Sequence, residues 1–248
     1  MEETRERKIL LALDTSTRSV GVALYEAAHI LCESVWTSID HHTVELAPAV
    51  AEALRRSGIT ARELSALGVA TGPGSFTGLR IGLALAKGIA LARRLPVIGV
   101  PTLDILAAAQ PVEAPELAAV LRAGRGRLAV GWYRSAEPLD PPASEAEAPE
   151  AGKSAGAWLP AGEIAVLTAE ELSRRIQQPT QVCGELTWEE RRFLARKRKN
   201  VLLSSPAQSL RRPSYLAELA WQRWQEGKMD DVAALSPRYL HYNEPIPG

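Results

Sequence analysis

The sequence predicts an α/β chain with mixed sheets and helices on their faces. Three observations predict it. Short apolar runs at residues 8–13, 66–70 and 97–100 suit buried strands better than helices. Residues 20–25 and 28–36 follow the first run at hairpin spacing, as an antiparallel meander. Segments of helical period separate the later strands, as parallel crossovers require.

The elements follow in order. Residues 42–57 carry Ala47, Val50, Ala51 and Leu54 at helical spacing, and Gly58 ends that helix. The strand at 66–70 runs into Thr71-Gly72-Pro73-Gly74-Ser75-Phe76-Thr77-Gly78, which turns the chain. A long helix covers 77–95, stopped by Pro96. A strand at 97–100 and a helix at 101–110 complete the best-patterned part of the chain. Beyond it, 118–121 and 128–133 read as a strand pair joined by Gly124-Arg125-Gly126. Residues 137–156 are rich in Pro, Ala, Glu and Gly without an apolar period, which reads as a surface loop or linker. A strand near 164–167, a helix over 169–176 and a strand ending at Cys183 follow. A basic helix over 187–199 comes next, then a last helix over 213–227 carrying Trp221 and Trp224. Residues 235–240 read as a docked extended end.

Composition narrows the function classes. The 248 residues fit one large domain or two small ones. At 46% hydrophobic residues the chain has material for a sizeable core without disulfides. Twenty-nine Lys and Arg against 29 Asp and Glu give no net charge. Gripping nucleic acid alone needs a cationic surplus, so any nucleic-acid contact is expected to be weak or indirect. Cys32 and Cys183 stand far apart and read as reduced thiols. No secretory apolar region and no run of membrane-spanning length is present, so a cytoplasmic protein is expected.

Two segments hold groups suited to an anion. Asp14, Thr15 and Ser16 end a strand and enter a hairpin, where hydroxyls and N–H groups could face a phosphate. Gly72, Gly74 and Ser75 turn the chain into a helix N-terminus, which favours negative charge. Either could equally be a plain tight turn. The helix that follows bears Gly78, Gly82, Ala86 and Ala90 at intervals of four. Glycine within a helix costs about 1 kcal/mol relative to alanine, so close approach of another backbone is expected there. That neighbour is either internal or a second subunit, and Phe76, Leu79 and Leu83 would flank it. His29, His41, His42 and His241 lack metal-ligand spacing, so no metal or cofactor is expected. The run Arg191–Lys199 reads as a solvated helix face or as a contact to RNA phosphates.

Leu11-Ala12-Leu13-Asp14-Thr15-Ser16, His42 with Leu46 and Pro48, and the stretch from Gly72 to Gly82 together resemble the bacterial TsaB (YeaZ) family. The resemblance implies an actin-like, Hsp70-like ATPase fold of two lobes with mixed sheets. The expected lobes are 1–110, with the interface helices, and 111–248, a reduced and divergent lobe holding the 137–156 loop and the last helix. It also implies work in making threonylcarbamoyladenosine, beside the anticodon of tRNAs reading codons that begin with A. In that system TsaD carries the metal and the transfer chemistry, TsaB is its non-catalytic partner, and TsaE, an ATPase, joins them. The implied interface is a four-helix bundle with TsaD, or with a second copy when the chain is alone. It would use His42, Leu46, Val50 and Leu54 on one helix, and Phe76, Gly78, Leu79, Gly82, Leu83, Ala86 and Ala90 on the other. The second half shows no second Asp-x-Gly phosphate motif, so no productive ATP hydrolysis is expected. The alternative is a small ATPase or kinase-like enzyme of the same fold, using Asp14 and the 72–78 loop.

Overall fold

The computed structural model describes residues 7–38, 42–136, 158–197 and 199–240. The expected 137–156 loop lies outside them. The chain divides into two compact units. The first takes the chain up to Thr102 and again from Leu216, and the second is Leu103–Tyr215. In chain order the elements are β1 (Ile9–Asp14), β2 (Ser19–Glu26), β3 (His29–Thr37), α1 (His42–Arg56), β4 (Leu64–Ala70), α2 (Phe76–Arg93), β5 (Val97–Val100) and α3 (Thr102–Ala108). There follow β6 (Glu116–Gly124), β7 (Arg127–Ser135), β8 (Trp158–Pro160), β9 (Ala165–Leu167) and α4 (Ala169–Arg175). The last are β10 (Thr180–Gly184), α5 (Trp188–Leu194), β11 (Val201–Leu203) and α6 (Pro213–Gln225).

The sheet of the first unit runs β3-β2-β1-β4-β5. Strand β1 pairs antiparallel with β2 and parallel with β4, so the expected mixed sheet is observed. All of β1 is buried. Side chains alternate along a strand. Ile9, Leu11 and Leu13 therefore join one core with Leu46 and Val50 of α1 and Leu83, Ala86 and Ala90 of α2. Leu10 and Ala12 lie on the other face, beside Gly68. Burial on both faces explains a continuous apolar run where a half-exposed strand would alternate.

The back of that sheet is covered by α6. Leu216, Ala217 and Ala220 are fully buried there, and Tyr25 of β2 packs on Trp221 with ring centroids 5.6 Å apart. A Cβ added to Gly68 would lie 2.8 Å from that of Ala220, so two minimal side chains let helix and strand meet. The expectation that the last helix belongs to a 111–248 lobe is thereby corrected. Its apolar face completes the first sheet. After it the chain bridges to the β5 edge: the Asp230 N–H donates to the Val97 carbonyl at 2.9 Å, and the Asp230 carboxylate accepts from the Gly99 N–H at 2.7 Å.

The second unit is also a mixed sheet, β11-β10-β6-β7-β8, with β9 pairing with β7 as well. Gly124, Arg125 and Gly126, all at positive φ, turn β6 into β7 as the sequence predicts. Val120, Val130, Leu172, Val182 and Leu194 form its core. Reduction shows in its crossover helices. Helices α4 and α5 have 7 residues each, against 15 in α1 and 18 in α2.

The expected 187–199 helix is corrected as well, because α5 ends at Leu194. The chain then turns, and the Lys197 ammonium donates to the Ser173 and Ile176 carbonyls at the end of α4. Asn200 donates to the Gln177 carbonyl at 2.7 Å, and β11 begins at once. Strands β8 and β11, three residues each, are additions to the predicted elements.

Candidate functional site

The two anion-loop segments do meet in the first unit, and they bond to each other. The Asp14 carboxylate accepts the Ser16 N–H at 2.9 Å, closing the turn after β1. The Ser16 carbonyl accepts the Ser75 N–H at 2.6 Å, and the Ser16 hydroxyl lies 2.9 Å from that of Thr102. Thr102 in turn accepts the Gly72 N–H at 3.1 Å. Ser75 caps α2 by accepting the Gly78 N–H at 3.2 Å. Thr15 donates to the Gly78 carbonyl at 2.7 Å. Asp14, Thr15 and Ser16 are buried, and a Cβ on Gly74 would stand 2.2 Å from the Ser16 carbonyl oxygen. The N–H groups of Gly72, Ser75 and Gly78 are thus taken by protein atoms. This is a packed joint between hairpin and helix, in which the residues expected to form an anion loop bond to one another.

The same joint settles which backbone the small-residue face meets. A Cβ on Gly78 would lie 2.2 Å from the Thr15 carbonyl oxygen, and one on Gly82 would lie 2.3 Å from the Thr15 hydroxyl. The buried residues of α2 are Gly78, Leu79, Gly82, Leu83, Ala86 and Ala90. They face the chain's own sheet, so the expected outward stripe is corrected to an inward one. Val50 is likewise buried and Leu54 half-buried in that core. The side chain of His42 lies outside what is described.

The outward faces of α1 and α2 enclose something else, an apolar groove of about 470 Å³. Thr43, Leu46 and Ala47 line it from α1, and Phe76, Ile81, Ala84 and Leu85 from α2. Large apolar groups of the same two helices stand in solvent: Phe76, in the lining, is 54% exposed, Val44 of α1 68% and Leu91 of α2 72%. Among the expected interface residues whose side chains are described, Phe76 alone is both large and exposed, while Leu46 reaches the groove as part of its floor.

The C-terminal segment borders this groove, docked and extended as the sequence predicts. The Arg238 N–H donates to the Thr71 carbonyl at 2.7 Å. Gly72 has φ 110°, and a Cβ there would lie 2.5 Å from the Arg238 carbonyl oxygen, so only glycine fits beneath the segment. Tyr239 stacks on Phe76 at 4.9 Å, and Arg80 lies over the Phe76 ring at 3.7 Å. The Arg80 Nε donates to the Tyr239 hydroxyl at 2.9 Å. Sequence reasoning missed Arg80 and Tyr239 as a pair. They stand 159 residues apart, and no periodic signal spans that separation.

Other reactive groups are buried. Tyr133 donates to Asp104 at 2.7 Å, and burial together with that carboxylate raises its phenol well above the ordinary value. Burial raises the Cys183 thiol likewise, which keeps it protonated and inert. Among the described residues no three His, Cys, Asp or Glu side chains gather to hold a metal. No helix among them is long and apolar enough to cross a membrane.

Comparison with known proteins places these features. Residues 29–239 match the family model described as TsaD, tRNA N6-adenosine threonylcarbamoyltransferase. The tRNA threonylcarbamoyladenosine biosynthesis protein TsaB of Escherichia coli is 30% identical, over 94% of this chain and 95% of its own. Its Bacillus subtilis counterpart is 29% identical over 95% of each. Among solved structures, YeaZ from Pseudomonas aeruginosa superposes with a TM-score of 0.71 at 26% identity, covering 94% of this chain and all of that one. Similar from end to end to proteins of that name in sequence and in fold, the chain belongs to the TsaB (YeaZ) family of tRNA threonylcarbamoyladenosine biosynthesis proteins.

Proposed function

We propose that this chain is the non-catalytic partner of TsaD, acting in the cytoplasm as scaffold and activator through the outer faces of α1 and α2. The observation that carries this reading is the groove between those helices. It is apolar, has exposed Phe76 in its lining, and lies on two well-packed helices that also expose Val44 and Leu91. A monomer gains nothing from such a patch, which marks a protein-binding surface. The helix pair of TsaD fits it as the other half of a four-helix bundle, with at least ~1,200 Å² buried in total. A partner without chemistry of its own activates by binding the active arrangement of TsaD more tightly than the inactive one.

TsaE joins this pair, and tRNA reaches the chain only indirectly or weakly. Two members of the basic run, Arg191 and Lys197, already hold carbonyls of this chain. When alone, the chain covers the same surface with a second copy. A reading as a small ATPase is less favoured, because the N–H groups of Gly72, Ser75 and Gly78 are already bonded within the hairpin joint.

The test is co-purification with TsaD of the same organism, followed by tRNA modification with and without this chain. Modification is expected only with both proteins present. Ala84→Trp plugs the groove at an exposed position and is expected to abolish both co-purification and modification. Modification by TsaD alone at the full rate, or unchanged binding by the Trp variant, overturns the proposal.

A further inference from the structure

We infer that Arg80, held over the Phe76 ring and bonded to the Tyr239 hydroxyl, is the specificity-determining contact of this surface, and that it receives a carboxylate from the helix pair of the partner. The inference rests on the docking role proposed for the groove. Arg80 lines that groove at the rim and is exposed. One face of its guanidinium is covered by the Phe76 ring at 3.7 Å, and its Nε donates to the Tyr239 hydroxyl at 2.9 Å. Among the described residues no protein acceptor meets its two terminal nitrogens. A guanidinium fixed by stacking and by one hydrogen bond has already lost much of its rotamer freedom. Its free edge then offers two parallel donors, the geometry that matches a carboxylate.

Charge on the two helices indicates the sign of the occupant. The sequence of α2 contains Arg80, Lys87 and Arg93 and no acidic residue. On α1, Glu45 accepts from the Trp36 indole and Glu52 is held by Arg55 and Arg56. Among the described residues that line the groove Arg80 alone is charged, so the lining itself is positive. A second copy of this chain would set one basic α2 against another, which disfavours it against an acidic partner. An amphipathic helix pair with an apolar stripe and an Asp or Glu at its border fits both the groove and the fork. Tyr239 is a positioning residue in this scheme, acting through Arg80.

The experiment is calorimetric titration of the full-length variants into TsaD at low and high salt, with thermal melting as a check on folding. Arg80→Gln is expected to weaken binding about tenfold and to flatten the salt dependence. Arg80→Lys is expected to lose nearly as much, since an ammonium keeps the charge but not the fork. Tyr239→Phe retains the stack and removes the acceptor, so it is expected to weaken binding by a smaller factor with the melting temperature unchanged. Arg80 variants that bind within about twofold of the parent, with the same salt slope, overturn the inference. If Ala84→Trp still abolishes binding in that case, the groove stands and only the fork falls. If Ala84→Trp binds unchanged, the docking role itself falls.

Discussion

Helices α2 and α5 make the same kind of connection and come to opposite ends. Each joins two parallel neighbours in a mixed sheet, β4 to β5 and β10 to β11. Helix α2 has 18 residues, lays a face of small residues on its sheet and still shows apolar groups outside. Helix α5 has 7 residues, begins with a capping box and surrounds itself with charges that mostly serve this chain. Arg191 donates to the Ser204 carbonyl at 2.7 Å, and Glu190 closes the cap on Thr187. A helix whose polar groups are satisfied at home has little left for a partner. A helix that stays apolar on both sides asks for a second layer.

The sharpest way to break this contrast is to burden the inner face of α2. Gly82→Leu must push against the Thr15 side chain, whose hydroxyl is 2.3 Å from the position of the new Cβ. The expected loss is about 3 kcal/mol of folding stability, read by urea denaturation. Gly88, on the outer face, has nothing within 4 Å of an added Cβ. Gly88→Ala is expected to leave stability unchanged or raise it by up to about 1 kcal/mol. Equal destabilisation by the two would mean that the inner and outer faces have been misassigned. The groove variant Ala84→Trp completes the set. It is expected to lower affinity for TsaD roughly thirtyfold or more while the melting curve stays with the parent.

These positions also show what the sequence could and could not tell. The glycines at 78 and 82 announce that another segment comes close to α2, and Thr15 is that segment, with its carbonyl at Gly78 and its side chain at Gly82. Spacing along one helix carries no information on whether its neighbour belongs to the same chain. The strand β1 was legible because burial on both faces leaves an unbroken apolar run. Which helix covers the back of it was not legible. The fit of Ala220 on Gly68 is a matter of shape between residues far apart in the chain. The end of α5 at Leu194 is not legible in the sequence because basic residues suit a helix as well as a turn. Its end is set by the Lys197 ammonium finding carbonyls at the end of α4. Phe76 was singled out from the sequence, whereas Arg80 and Tyr239 became partners only when the C-terminal segment folded back across Gly72.

A smaller effect sharpens the other half of the contrast. Thr187 accepts the Glu190 N–H at 3.2 Å, and Glu190 accepts the Thr187 N–H at 2.7 Å. Thr187→Ala removes the first bond, whose acceptor is the hydroxyl, and leaves the second, whose donor is the backbone N–H. It is expected to cost about 1 kcal/mol of stability, measured by denaturant unfolding. Because α5 is only two turns long, a cap supplies a large share of what holds it. Affinity for TsaD should be untouched, and a loss of affinity in this variant would show that the second unit takes part in docking.

The smallest expected effect belongs to Glu52, on the solvent side of α1. Hydrogen bonds from Arg55 and Arg56 lower its carboxyl from 4.5 to about 2. A carboxyl lowered by folding stabilises the native state above its unfolded value. That contribution fades as pH falls from near 4.5 through about 2. The Glu52 side chain is exposed, as are both arginines, so solvent and salt screen most of it. Glu52→Gln should therefore melt slightly below the parent at neutral pH and low salt. The two melting curves should converge as acid protonates the parent carboxyl, and converge also when salt is added at neutral pH. A gap that persists at both extremes would mean that Glu52 supports α1 through packing of its side chain rather than through charge. The outer face of this helix would then be less independent of its charges than that of α2.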